Sequence, residues 1–450
     1  MSNTILAIDI GSTKVAALIA QRDDEEALVV TGSGVTKTQG LKKGVITNID
    51  LATKSIKEAY EDANRISGTS PKKAIVSISG AYVKGTNSTG IVNIPNKEIS
   101  IDEINRVMQT ALYNANIPHE YEVVHVLPYK FKVDGQDFIE DPLGMNASRL
   151  EVDVHIIAAP KSSISNLKKA VQQAGLQIES IVLSGYASAI ATLNEDEKEL
   201  GACVIDMGGS TCNLVIHAGN SIVYNDFLAV GSMHITNDLS MALHTPLSVA
   251  EEIKLLYGNI KNAQAEAIEI PSIGEEGNTH QVSLEIVYNV IYARVEETLM
   301  ILAQSIEKSG LKDQIGGGIV LTGGMTKLGG IRELANAIFD HMPTRIAKPR
   351  ALQGMPKEWN DPAFASVVGL ALYGNGEFTP YEIDSNRRLR YSKELISINE
   401  MPHFSNEEQH DISAPTAKED LLNLEEMESF EEKKKKKSIS GFFKWLTQLF

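Results

Sequence analysis

Apolar positions along this chain follow two rhythms. Unbroken apolar runs at residues 5–10 and 14–20 flank a short polar turn, the pattern of two buried strands set back to back. Residues 50–67 space their apolar side chains at helical intervals, and residues 74–79 return to an apolar run through Ile75, Val76 and Ile78. A further helix is predicted over 162–175, with Gly175 as its stop. Residues 201–206 and 213–217 form a second strand–turn–strand pattern. A long amphipathic helix is predicted over 284–307, followed by an apolar strand at 318–321. Strands alternating with helices in this way give an α/β class.

Two stretches break the rhythm. Residues 81–160 carry strand-like pieces at 123–126, 129–133 and 150–158, with a turn-rich run at 141–148. This predicts a small α+β insert within the larger body. Residues 400–432 are rich in Asp, Glu, Ser, Asn and Pro and poor in aromatics. Such a segment buries too little apolar surface to offset chain entropy, so the span 381–432 is expected to be a disordered acidic linker.

At 450 residues, with 43% hydrophobic positions, the chain is long enough for several subdomains. Its formal net charge of -16 argues against nucleic acid as a partner, because phosphate contacts need clustered Lys and Arg. Cys203 and Cys212, the two cysteines, make no disulfide framework and are expected to be buried as small apolar residues. The first residues carry no basic region ahead of a long apolar stretch, and no window reaches about 18 consecutive apolar residues. The expectation is a protein made and kept in the cytoplasm.

The candidate chemistry lies in the two hairpins. Leu6 to Ala20 reads LAIDIGSTKVAALIA and Cys203 to His217 reads CVIDMGGSTCNLVIH. Each has an apolar strand, an Asp, a glycine turn with Ser-Thr, and a second strand. Gly11, Gly208 and Gly209 let the backbone turn sharply, so that successive N–H groups can cradle phosphate oxygens. Ser12, Thr13, Ser210 and Thr211 add hydroxyl donors. Asp9 and Asp206, at the strand ends, are placed to hold Mg²⁺ through its water shell. A third glycine signal, Thr322, Gly323, Gly324 and Met325, follows the strand at 318–321. Glu251 and Lys254 share a face of a predicted helix. No GxxxxGK[ST] pattern and no GxGxxG on a strand-to-helix turn is present.

Two Asp-Gly hairpins followed by a Gly-Gly turn resemble the actin, Hsp70 and sugar-kinase superfamily. The resemblance implies an actin-like, two-lobed ATPase fold that binds ATP with Mg²⁺. Gly11, Ser12, Thr13 and Lys14 would form one phosphate loop, and Gly208, Gly209, Ser210 and Thr211 the other. Gly323, Gly324 and Met325 would lie by the adenosine, and Glu251 and Lys254 by ribose and base. Within the superfamily the chain is similar to the FtsA family of bacterial cell-division proteins, through HVLPYKF (125–131), VDG (133–135), DPLGM (141–145), LTGGM and ELGACVIDMGGST.

The division of the chain follows from this resemblance. Residues 1–80 and 161–200 would form subdomain 1A and 81–160 the inserted 1C. Residues 201–226 and 304–350 would form 2A, 227–303 would form 2B, and 351–380 would return to the first lobe. Implied partners are the C-terminal peptide of FtsZ, bound through 2B, other copies of the chain in a filament, and later division proteins. The implied place is the cytoplasmic face of the inner membrane at the septum. MreB-like relatives have an acidic residue and a proline where Ser184 and Gly185 stand. The missing acid, which positions the attacking water, implies slow hydrolysis and names no catalytic residue. An Hsp70-like chaperone, a sugar or small-molecule kinase and a PilM-like pilus protein are the alternatives. The chain's tail counts against the first and third, and the second leaves both insert and tail unexplained.

That tail reads KKKKKSISGFFKWLTQLF. At helical spacing Ile439, Phe442, Phe443, Leu446, Leu449 and Phe450 share one apolar face, with Trp445 beside it. The segment is too short to span a bilayer and is expected to lie in the interface. Lys433, Lys434, Lys435, Lys436 and Lys437 immediately before it would each add roughly 1 kcal/mol of attraction to an anionic surface.

Overall fold

The computed structural model describes residues 4–391 apart from 24–26, 262–265 and 274–277. The chain opens with Thr4–Ile10 (β1) and Lys14–Arg22 (β2), which pair antiparallel, and β2 pairs with Leu28–Lys37 (β3). A small hairpin, Leu41–Lys42 (β4) and Val45–Ile46 (β5), leads into the helix Ile49–Ser67 (α1). Asn48 starts α1 by accepting a hydrogen bond from the Leu51 N–H, and Gly68 ends it at φ 67°. The buried face of α1, including Ala52, Ile56, Ala59 and Ala63, belongs to the same core as the sheet. Lys73–Ile78 (β6) then runs parallel to β1.

The insert follows. It contains Lys84–Asn93 (β7), Ile101–Asn114 (α2), Tyr121–Val133 (β8), Gln136–Ile139 (β9) and Arg149–Pro160 (β10). Its sheet has the order β7-β10-β8-β9 with every neighbour antiparallel. It has its own core, with Ile104, Met108, Phe131, Val152 and Ile156 at its centre. Lys161–Gln173 (α3) carries the chain back to Gln177–Leu183 (β11), parallel to β6, which completes a sheet of order β11-β6-β1-β2-β3. Ser184–Thr192 (α4) and Glu195–Leu200 (α5) lead out of this lobe.

The second lobe repeats the plan. Ala202–Met207 (β12), Cys212–Ala218 (β13) and Ser221–Leu228 (β14) are antiparallel neighbours. A helical excursion follows, Ser232–Ala242 (α6) and Leu247–Tyr257 (α7), then the hairpin Ala267–Pro271 (β15) and Thr279–Ser283 (β16), then the long Leu284–Ser309 (α8). Ile319–Thr322 (β17), Ile331–Ile338 (α9) and Thr344–Ile346 (β18) finish a sheet of order β14-β13-β12-β17-β18. In both sheets three antiparallel strands are followed by two parallel ones, so the repeat seen in two hairpins extends to whole sheets. The chain then re-enters the first lobe as Ala365–Gly374 (α10), which packs on α4.

Cys203 and Cys212 are free and buried. No helix among the described residues is long and apolar enough to cross a membrane. The expected linker starts too early. Tyr381 and Ile383 are buried at 1% and 0% exposure in the core of the insert. Ile383 exchanges backbone hydrogen bonds with Val126, and Tyr381 stacks on Tyr391 with ring centroids 4.9 Å apart. Residues 381–391 therefore belong to the folded body, because an isolated bridge and two apolar side chains tie them to β8. The linker beyond 391, the lysine run and the terminal apolar face lie outside the described residues.

Candidate functional site

The two turns that follow β1 and β12 close identically. The Gly11 N–H donates to the Lys14 carbonyl at 3.0 Å, and the Gly208 N–H donates to the Thr211 carbonyl at 2.8 Å. Each is braced from outside by the segment that follows the third strand. Thr38 donates from its hydroxyl to the Gly11 carbonyl and from its N–H to the Thr13 carbonyl. The N–H groups of Ser232 and Met233, at the start of α6, donate to the carbonyls of Gly208 and Gly209. The turns abut. A Cβ added at Gly209 would lie 2.1 Å from Thr13 Cγ2, so only glycine lets the loops come this close.

Asp206 is buried at 9% exposure. Its Oδ2 accepts hydrogen bonds from Ser188 Oγ at 2.7 Å and Ser366 Oγ at 2.9 Å. Burial raises its carboxyl above the ordinary range, while both serines and Lys14 pull it back. Asp9 is likewise pushed up to about 6 by burial, against a hydrogen bond with Ser77 and the charge of Lys14, while the Asp206 charge adds to the rise. The charge of Lys14 reaches both carboxyls, and the charge of Asp206 reaches Asp9, across the contact between the two turns. Lys14 leaves its own loop. Its Nζ donates to the Ala363 carbonyl at 2.5 Å and stands 4.4 Å from the Phe364 ring centroid. Burial lowers its pKa, and Asp9, Asp206 and Asp361 oppose that.

The third glycine turn joins them. Gly323 has φ 89°, and a Cβ there would lie 2.4 Å from Asp206 Oδ1. Its N–H donates to the Pro362 carbonyl, which also takes a bond from the Thr322 hydroxyl. Gly324 leaves open space, its nearest neighbour being Ala363 Cβ at 3.6 Å from an added Cβ. Met325 departs from expectation. Its side chain is buried at 1% exposure rather than presented to solvent. Glu251 and Lys254 form an ion pair at 2.6 Å on α7. Lys254 Nζ also donates to Thr236 Oγ1 and the Ser232 carbonyl, so its head is held inside lobe 2, while the Glu251 side chain stays 37% exposed.

Sequence reasoning missed Ser77, Ser188, Ser366, Thr38 and the turn at 362–364. The one signal for the serines was the run of small residues in SGYASAIA and near Gly369. Those residues let α4 and α10 touch, since a Cβ at Gly369 would fall 1.8 Å from the Ala187 carbonyl oxygen. The arrangement gathers two glycine turns, the carboxylates of Asp9 and Asp206 and the half-buried Lys14 cation around one place. No group of three or more His, Cys, Asp or Glu side chains among the described residues could hold a metal by protein ligands alone. The donor set suits a cation that keeps most of its waters and sits beside an anion.

Comparison with known proteins decides the family. A family model described as "Cell division protein FtsA" matches residues 203–369, and one for the "SHS2 domain inserted in FTSA" matches residues 80–158. A curated cell division protein FtsA from Helicobacter pylori is 39% identical over 444 residues, covering 92% of this chain and 90% of the relative. The chain belongs to the FtsA family. A second FtsA, from Pseudomonas aeruginosa, is 37% identical and covers 82% of this chain and 89% of its own length. Among solved structures, a PilM–PilN type IV pilus biogenesis complex superposes with a TM-score of 0.59 at 19% identity, covering 82% of this chain and 98% of that one. The MreB5 of Spiroplasma citri bound to ADP gives 0.51 at 14% identity, covering 83% and 96%. The fold is thus the actin-like one, and the family assigns this chain to cell division.

Proposed function

We propose that this FtsA-family protein binds ATP with Mg²⁺ between its two glycine turns and uses the nucleotide as a switch. In this reading it tethers the FtsZ ring to the cytoplasmic face of the inner membrane and helps bring in later division proteins. The observation that carries the nucleotide reading is the contact of the two turns over Asp9 and Asp206, with identical closing hydrogen bonds. Gly11, Ser12 and Thr13 on one side and Gly208, Gly209, Ser210 and Thr211 on the other would hold phosphate oxygens. Asp9 and Asp206 would hold the waters of Mg²⁺, which neutralises phosphate charge when bound. The turn at Gly323 and Gly324 and the exposed Glu251 would flank the nucleoside.

Slow hydrolysis fits the same geometry. Ser184 spends its hydroxyl on the Ile78 carbonyl, and an added Cβ at Gly185 would lie 2.9 Å from Val215. Neither offers a base for water. Purified protein with saturating ATP and Mg²⁺ is expected to turn over on the order of one ATP per minute or slower, far below typical enzymes. A phosphate-release assay showing several turnovers per second would refute this.

Supporting the docking role, α6, α7 and the turn after β15 expose Met241, Leu247, Leu255, Leu256 and Ile273 at 53–75%. Such side chains suit an apolar peptide partner, here the FtsZ C-terminal peptide, and other copies of the chain would add along a filament. The membrane role rests on the lysine run and the apolar face of residues 433–450. Flotation with anionic lipid vesicles tests it. The full chain is expected to float and a chain truncated after Glu432 to stay at the bottom. Equal behaviour of the two would remove the tail from the membrane role.

A further inference from the structure

We infer that Ser188 and Ser366 are positioning residues that fix the metal-facing posture of Asp206, and so make Mg²⁺ affinity depend on how the lobes meet. The inference deepens the nucleotide reading above and rests on it. Asp206 stands at the end of β12 in lobe 2, whereas both serines belong to helices of lobe 1, α4 and α10. Both hydroxyls converge on one oxygen, Oδ2, and their Oγ atoms lie 2.9 Å apart. Two short donors on one carboxylate oxygen fix the plane of the group and use up that oxygen's acceptor capacity. The other oxygen, Oδ1, lies on the side of the Gly323 turn and takes no hydrogen bond among the described residues. It is the oxygen left for the water shell of a cation.

Ser188 is fully buried and Ser366 is 8% exposed, so neither is a surface hydroxyl resting there by accident. The two helices are locked together where Gly369 meets Ala187, which holds the serines at a common distance. Opening the lobes would pull Asp206 away from both donors at once. A carboxylate released in this way would rotate freely and hold the Mg²⁺ waters less well.

The experiment is a titration of a fluorescent ATP analogue into the full chain, with Mg²⁺ varied and with the metal removed by EDTA. Ser188→Ala and Ser366→Ala are each expected to raise the Mg²⁺ concentration required for half-saturation by about tenfold, the loss of one charge-assisted hydrogen bond. Nucleotide affinity in EDTA should stay within about twofold of wild type. Thermal unfolding of each variant without nucleotide checks that it is folded, and if Ser188→Ala is not, the less deeply buried Ser366→Ala alone carries the test. Variants with the wild-type Mg²⁺ dependence overturn the inference while leaving the nucleotide reading intact. Equal weakening with and without Mg²⁺ also overturns it, because that is what a merely structural role would give. A wild-type chain that takes up no nucleotide under either condition removes the nucleotide reading, and the positioning role with it.

Discussion

Gly209→Ala is expected to weaken nucleotide binding by about thirtyfold to a hundredfold, the range that overpacking of a tight contact produces. The added methyl would sit 2.1 Å from Thr13 Cγ2, 2.9 Å from Thr13 Oγ1 and 3.0 Å from Thr13 Cβ. Carbon atoms rest about 3.5–4.0 Å apart, so the two turns must separate by more than an ångström. Separation leaves the two cradles too far apart for one polyphosphate. Because the clash is with a side chain, it can be relieved. Thr13→Ala in the Gly209→Ala background removes the two closest atoms and leaves the contact at 3.0 Å. That double variant should regain part of the lost affinity, about three- to tenfold. Thr13→Ala alone should cost about threefold or less, one hydroxyl donor at a partly solvated site. Calorimetric titration of ATP with Mg²⁺ into all four proteins reads the cycle. Wild-type affinity in Gly209→Ala would mean that the two turns do not act on one ligand.

The second large effect lies behind the cleft. Glu382 is fully buried and takes hydrogen bonds from the hydroxyls of Tyr186 and Tyr373, the first at 3.0 Å. Arg390 lies over the Tyr373 and Phe378 rings, at 4.3 and 4.2 Å from their centroids. The Thr379 N–H donates to the Tyr186 hydroxyl oxygen at 2.8 Å, and Thr379 Oγ1 meets Ser221 Oγ of β14 at 2.7 Å. The cluster thus gathers α4, α10, the 381–391 segment and lobe 2. His125 on β8 of the insert joins through ring contacts with Tyr186 and Tyr373. Its Nε2 accepts the Leu183 N–H, and its Nδ1 stands 3.9 Å from Glu382, beyond hydrogen-bond reach. Burial holds the imidazole neutral, down to about 3, so this is not an ion pair.

Glu382→Ala leaves two buried phenols without their acceptor and opens a cavity beside them, and is expected to destabilise the protein by about 3–5 kcal/mol. Glu382→Gln keeps an acceptor and should cost less than half of that.

The same residue sets a pH slope. Burial pushes the Glu382 carboxyl up to about 7 from 4.5, with Arg390 and the two tyrosines opposing. The folded protein therefore holds this proton where the unfolded chain has released it. Its contribution is present in full below about pH 4.5 and is lost as pH rises to about 7. Unfolding midpoints measured across that window should fall with pH more steeply in wild type than in Glu382→Gln. Parallel profiles would show that the carboxyl does not titrate there.

Much of this protein was legible in its sequence because the signals were local. Asp9 to Thr13 and Asp206 to Thr211 announce their turns within six residues, since glycine and hydroxyl side chains dictate turn chemistry wherever they occur. Strand and helix periodicity revealed the α/β body and set off the insert, because burial of one face repeats every two or 3.6 residues. The Glu251–Lys254 pair was readable from spacing alone for the same reason.

What the sequence could not supply were contacts between distant segments. Ser188 and Ser366 look like ordinary small residues of two helices. Only the crossing of α4 and α10 over β12 brings them to Asp206. Lys14 reads as part of its own loop, yet the fold offers it the Ala363 carbonyl and the Phe364 ring, 349 residues further on in the first case. Met325 sits among glycines that face the cleft, but a four-residue turn rotates its side chain into the core. Residues 381–391 carry a polar composition that resembles linker, and the edge of β8 and the core of the insert bind them into the body. Composition and period are properties of a segment and can be read from it. Which hydroxyl meets which carboxylate depends on where two sheets and their helices come to rest, and only the tertiary structure decides that.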